Sequence, residues 1–211
     1  WIFNKSDTFL NFNKELLMII SLTAGLCFLV GIIDDIIQIS PLIRLTSQII
    51  ITSFLWSRNI GIDSMAINFF GFKSSFEVPE LLGFIITFFW ISGIINAFNW
   101  LDGLDGLASG LAIIKFSFIL YFAYINGWEL ITFLSIIIIG GIIGFLIHNK
   151  YPASIMMGDG GSYFLGYLLA IFILFATNSY QDYQLNNKYE LNLIPCLLTL
   201  FLPIADMTLV V

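Results

Sequence analysis

Residues 96–110, NAFNWLDGLDGLASG, place two asparagines and two aspartates among glycines, between two long apolar runs. An aspartate at the centre of a bilayer costs roughly 2.5–3.5 kcal/mol on insertion scales and less towards the interface. Carboxylates in that setting need compensation, and the stretch reads as the floor of an active site. Asp102 and Asp105 are three apart, so they share a face if helical, while Gly103 and Gly106 allow a tight backbone. Two further clusters belong beside it. Asp34 and Asp35 are adjacent and repel, so at least one needs a cation, a proton or a basic partner. The plain alternative is a solvated helix end; the functional reading is a metal ligand plus a general base. The segment GDGGS at 158–162 supplies Gly158 and Gly160 for close approach, the carboxylate of Asp159, and then the start of a helix. Alone it is little better than a turn; the conjunction of the three is what carries weight.

Two helix N-termini aimed at one site suit an anionic ligand, most naturally phosphate. Five carboxylates (Asp34, Asp35, Asp102, Asp105 and Asp159) would repel a diphosphate unless a divalent cation sat between. Hard oxygen donors with substrate phosphates describe Mg²⁺, or Mn²⁺, rather than zinc. No GxxxxGK[ST] segment is present, which excludes a P-loop enzyme. The single histidine, His148, reads as an interfacial residue rather than a ligand or base.

The elements that must position these groups are membrane spans. The 211 residues are 59% hydrophobic and 10% charged with a mean hydropathy of +0.96, against about 25% charged residues in soluble domains. Apolar runs at 15–33, 42–56, 80–98, 107–125, 129–147, 162–177 and 191–211 predict an all-α polytopic membrane protein of about seven transmembrane helices, 1–211 forming one integral-membrane domain. Alternating segments between 57 and 79 (MAINFF, SSFEV) predict a small extramembrane β-hairpin. Cys27 and Cys196 lie in apolar runs and show no disulfide or metal spacing. The net charge of −6 argues against a nucleic-acid partner. Lacking an initiator Met and ending inside an apolar run, the chain reads as a piece of a longer protein, cut at both ends.

Parity joins the two halves of this reading. The loops after the first, third and fifth spans share one membrane face, and they hold Asp34-Asp35, residues 96–110 and residues 158–162. Every unusual polar cluster therefore lands on one side. By positive charge alone that side would be the outer one: Arg44 and Lys150 lie there, against Lys5, Lys14, Arg58, Lys73 and Lys188 opposite.

With these motifs in hand, the chain resembles the polyprenyl-phosphate N-acetylhexosamine-1-phosphate transferases of glycosyltransferase family 4, whose members start bacterial peptidoglycan, O-antigen, teichoic acid and related glycans, and eukaryotic N-glycans. The resemblance rests on GIIDD (31–35), NAFNWLDGLDGLASG (96–110), NKYPASIMMGDGGSYFLG (149–166) and PIADMTLVV (203–211). It implies transfer of a sugar-1-phosphate from a UDP-N-acetylhexosamine to polyprenyl (undecaprenyl) phosphate in the lipid, with release of UMP. It further implies that Asp34 and Asp35 are the catalytic aspartate pair, and that Asp159 and Asp35 bind Mg²⁺. Asn96, Asn99, Asp102 and Asp105 would line the nucleotide and diphosphate site, and Asn149 would belong to the adjoining loop. The implied location is the bacterial plasma (inner) membrane with the site facing the cytoplasm. The NAFN–LDGLDG wording and the hairpin look more like the O-antigen and teichoic-acid initiators, hence a GlcNAc-type donor, than the muramoyl-pentapeptide branch. Gln38 replaces a third acidic residue some members carry, and Met156 stands where Phe is common. The family's histidine-rich carboxy-terminal loop and basic amino-terminal loop are missing from these residues.

A rival reading is a cation or proton transporter using intramembrane carboxylates as a relay. It predicts carboxylates in mid-span, whereas here only Lys115 is deep and Asp206 lies towards the motif end of the last span. The sequence leaves open which of Asp34 and Asp35 is the base, whether transfer is direct, and whether the protein forms a homodimer.

Overall fold

Helices form where the apolar runs are. A computed structural model describes residues 2–69, 72–176 and 190–192. In chain order it contains α1 (Ile2–Ile37), α2 (Pro41–Ser57), β1 (Ser64–Phe69), β2 (Phe72–Glu77), α3 (Glu80–Leu101), α4 (Leu107–Ile125), α5 (Glu129–Asn149), α6 (Gly158–Ala176) and β3 (Glu190–Asn192). The protein is an all-α polytopic membrane protein with a small sheet.

Five helices among the described residues are long and apolar enough to cross a bilayer: Lys14–Ile37 within α1, and α3 to α6. The expected count of seven differs for two reasons. At 17 residues, α2 is about 25 Å long, short of a hydrocarbon core of about 30 Å. It nonetheless runs the same course as its neighbours, from Arg44 beside Asp34 to Trp56 beside Gly61 and Gly83. The expected seventh span, with Cys196, Asp206 and the 203–211 segment, lies outside the described residues except for its first two positions. Those two, Leu191 and Asn192, are strand: β3 runs parallel to β1, extending the expected hairpin to a three-stranded sheet in the order β2-β1-β3. The hairpin itself pairs Ser64 with Glu77 through to Phe69 with Phe72.

Helix ends also move. No Gly or Pro precedes Gly25, so α1 is helical from Ile2 and not only from the apolar run. It continues past the acidic pair to Ile37 and stops at Gln38, whose φ of 50° turns the chain left-handed. Asp34 and Asp35 thus project from its last turn. Helix α3 runs on to Leu101, which places Asn99 on its final turn and Asn96 one turn deeper. Residues 158–161 are the first turn of α6, not a loop before it.

The bundle is organised around α6, buried continuously over residues 165–176 and packed against α1, α3 and α4. Lipid tails are as apolar as Leu, so close backbone approach and interhelical hydrogen bonds hold such bundles. Gly31 of α1 provides the approach at the site end: a Cβ there would sit 2.6 Å from Gly160 Cα. Gly166 does the same against Ile95 Cα, at 2.9 Å. Polar pins run along α6: Thr23 to Tyr167, Trp90 Nε1 to the Ala170 carbonyl at 3.0 Å, and Asn126 Nδ2 to the Ala176 carbonyl at 2.7 Å. Helix α5 packs mainly on α4 and leaves most of its surface exposed.

Candidate active site

The ends of α1, α3 and α5 and the starts of α2, α4 and α6 meet at one end of the bundle, opposite the sheet. This is the common face that loop parity demanded. Asp35 is exposed there, and its two carboxylate oxygens accept the backbone N–H groups of Asp159 at 2.9 Å and Gly160 at 3.1 Å. Asp159 in turn accepts from Asn99 Nδ2 at 2.6 Å, and the same amide donates to Ser162 Oγ at 2.9 Å. Asp102 accepts the Gly158 N–H. Carboxylates from the ends of α1 and α3 therefore flank the first turn of α6, which carries Asp159 itself.

The sequence led us to expect that turn to face a ligand phosphate. In this structure its amides are instead held by carboxylates of the protein, because the positive end of α6 is as good a partner for Asp35 and Asp102 as for any other anion. The close approach permitted by Gly158 and Gly160 is likewise to α1. Gly158 has a φ of 67°, and a Cβ there would lie 2.9 Å from Asp35 Oδ2; at Gly160 it would lie 3.0 Å from Ile32 Cγ1.

The remaining expected residues separate into neighbours and supports. Residues 102–106 are a turn and not a helix, so Asp102 and Asp105 are not on one helical face. Asp105 is exposed and accepts the Ala153 N–H at 2.9 Å. Asp105 thus ties the α3–α4 turn to the α5–α6 loop, while Asp102 ties that turn to the first residue of α6. Asn149 is buried with both ends of its amide engaged, accepting from Ser109 Oγ at 2.8 Å and donating to the Ile155 carbonyl at 3.0 Å. Asn96 lies away from the carboxylates, donating to the Ser92 carbonyl at 2.7 Å and to Gln48 Oε1 at 3.4 Å. His148 is exposed at the end of α5, and Met156 is exposed beside it in the following loop.

Two residues emerge that sequence reasoning missed as site groups. Asp34 is buried, and its carboxylate accepts from the Ile39 N–H at 3.0 Å and the Tyr163 hydroxyl at 2.9 Å and forms an ion pair with Arg44 Nη1 at 3.3 Å. Arg44 and Tyr163 are 119 residues apart, and nothing local in the sequence pairs them. A basic residue following an acidic pair was the available signal, and counting it only as a loop charge overlooked it.

Charge dominates the rest of the site. Arg44 pairs with Asp34, while Asp35, Asp102 and Asp159 form no ion pair with a described residue. Burial pushes the Asp102 carboxyl up to about 6; the Gly158 N–H opposes this, and the charges of Asp159 and Asp35 add to it. Such a cluster fits a hard divalent cation. Among the described residues no three His, Cys, Asp or Glu side chains form a ready cage. Mg²⁺ takes one or two carboxylates from a protein and completes its shell with phosphates and water.

The profile of glycosyl transferase family 4 matches residues 17–177. A probable undecaprenyl-phosphate N-acetylglucosaminyl 1-phosphate transferase of Bacillus subtilis is 38% identical over 155 residues, 74% of this chain and 42% of the relative. A phospho-N-acetylmuramoyl-pentapeptide-transferase of Lactobacillus gasseri is 45% identical over 92 residues, 43% of this chain and 28% of the relative. One of Listeria innocua is 36% identical over 156 residues, 69% of this chain and 47% of the relative. The chain spans less than half the length of these curated relatives.

Proposed function

The chain belongs to glycosyl transferase family 4, and on that premise we propose that it transfers a sugar-1-phosphate from a UDP-N-acetylhexosamine to a polyprenyl phosphate such as undecaprenyl phosphate. An oxygen of the lipid phosphate attacks the sugar-bearing phosphorus, the bond to UMP breaks, and a lipid diphospho-sugar remains. The observation that supports this most is the gathering of Asp35, Asn99, Asp102 and Asp159 at one end of a membrane bundle.

Phosphoryl transfer needs positioning and charge neutralisation more than covalent help from protein groups. Asp159, with Asp35 or Asp102, would hold Mg²⁺ or Mn²⁺, and such an ion supplies neutralisation of the diphosphate's charge. Asp35 is the exposed member of the aspartate pair and is our choice as the group that takes the acceptor's proton. Asp34 is fully bonded and instead holds Arg44, whose guanidinium meets the acceptor phosphate. Asn99 fixes Asp159, and Asp105 and Asn149 hold the loops beneath the donor. The site faces the cytoplasm of a bacterial plasma membrane, where UDP-sugars are made.

GlcNAc is our preferred sugar, because the Bacillus relative matches over the larger share of this chain. The muramoyl-pentapeptide donor is the second reading, favoured by the higher local identity to the Lactobacillus protein. Membranes carrying the full-length protein, given labelled UDP-GlcNAc and undecaprenyl phosphate, should form labelled lipid and UMP together. EDTA should stop the reaction and added Mg²⁺ or Mn²⁺ restore it. Turnover only with the muramoyl donor would move the assignment to the second reading, and undiminished turnover in EDTA would remove the metal.

A further inference from the structure

We infer that Tyr163 is a positioning residue for the acceptor phosphate, acting through Arg44. The inference rests on the transfer reading above. Tyr163 is 2% exposed, and its hydroxyl lies where α1, α2 and α6 converge. It donates to Asp34 Oδ2 at 2.9 Å and accepts from Arg44 Nη1 at 3.3 Å, while Nη1 lies 3.3 Å from the same Asp34 oxygen. The ring fills space that Phe would fill equally well. The hydroxyl is there for the polar contact.

Its effect is to grip the guanidinium at one corner only. Nε of Arg44 is buried and has no hydrogen-bond partner among the described residues, and Nη2 makes no hydrogen bond to a described residue either. A buried donor on a cation left unpaired is costly, so the arrangement asks for a partner along that edge. The Nε–Nη2 edge is the side-on face of Arg that two oxygens of a phosphate match. Holding Nη1 on Tyr163 and Asp34 limits where that edge can point, and a small shift of the side chain opens its buried Nε to the ligand.

The position favours the acceptor over the donor. Arg44 lies in the first turns of α2 between Leu42, Ile43 and Leu45, all exposed on the outside of the bundle. A lipid-borne phosphate reaches the site from that side. Asp35, Asp102 and Asp159, which form no ion pair with a described residue, lie beyond it on the donor side.

The test is steady-state kinetics of full-length Tyr163→Phe in membranes, varying each substrate separately. The expected result is a KM for undecaprenyl phosphate raised about tenfold, with the UDP-sugar KM within about twofold of wild type. Arg44→Lys keeps the charge but loses the edge, so it should raise the same KM. Tyr163→Phe added to Arg44→Lys should then cost little more, since the two act as one unit. Equal rises in both KM values, a loss confined to kcat, or additive penalties in the double variant would overturn the positioning role. A wild-type protein that transfers nothing from any UDP-N-acetylhexosamine overturns the function and this role together. An active wild type with an unaltered acceptor KM in Tyr163→Phe overturns this role alone.

Discussion

Asp159→Asn is expected to abolish metal-dependent transfer, by on the order of 10²–10³-fold or more, with the protein still inserted and folded. The substitution is nearly isosteric, and what anchors the first turn of α6 is backbone: Asp35 accepts the N–H groups of residues 159 and 160, not the side chain. Asn99 can still donate to the amide oxygen that replaces the carboxylate oxygen it meets now at 2.6 Å. The change therefore removes charge and one hard anionic donor while sparing the scaffold. The check is a metal titration of turnover beside a thermal melt in detergent. Undiminished turnover at ordinary Mg²⁺ would refute the metal role of Asp159.

Replacing the aspartate pair gives the second large effect, and the two members should fail differently. Asp35→Ala and Asp34→Ala should each lose at least about 10²-fold in turnover, the usual scale for a lost general base or for the group that orients its partners. Asp34 is buried, and removing it leaves the Tyr163 hydroxyl and the Ile39 N–H without their acceptor beside a partly exposed Arg44. Asp34→Ala should therefore also lower the thermal midpoint clearly. Asp35 is exposed, so Asp35→Ala should lose turnover with a smaller change in stability. Turnover and melting of both variants decide it: small losses in both would remove the base from this pair, and the same stability loss in each would remove the division of labour.

Why some of this was legible and some was not follows from what spacing encodes. Apolar runs fix where helices lie, and counting crossings fixes which loops share a face; that was enough to bring Asp35, Asp102 and Asp159 together. Alternation in 57–79 was enough for the hairpin. Partner choice was not legible, because it depends on contacts between helices far apart in sequence. The α6 amides look identical whether they await a phosphate or Asp35 at 2.9 Å. Asn96 and Asn99 look equivalent in NAFN, yet one helical turn separates a bond to Gln48 from a bond to Asp159. Asn149 reads as a loop ligand, but burial turns it to Ser109 and Ile155. The short strand at Glu190–Asn192 was hidden at the boundary between a polar loop and an apolar run.

Labelling of single cysteines placed at positions 35, 102 and 159, in a background with Cys27 and Cys196 replaced, tests the core of the account most directly. With a membrane-impermeant maleimide, all three should react in inside-out vesicles and none in right-side-out vesicles. Positions reacting from opposite sides of the bilayer would mean that the acidic groups never share a site, and the account would be wrong.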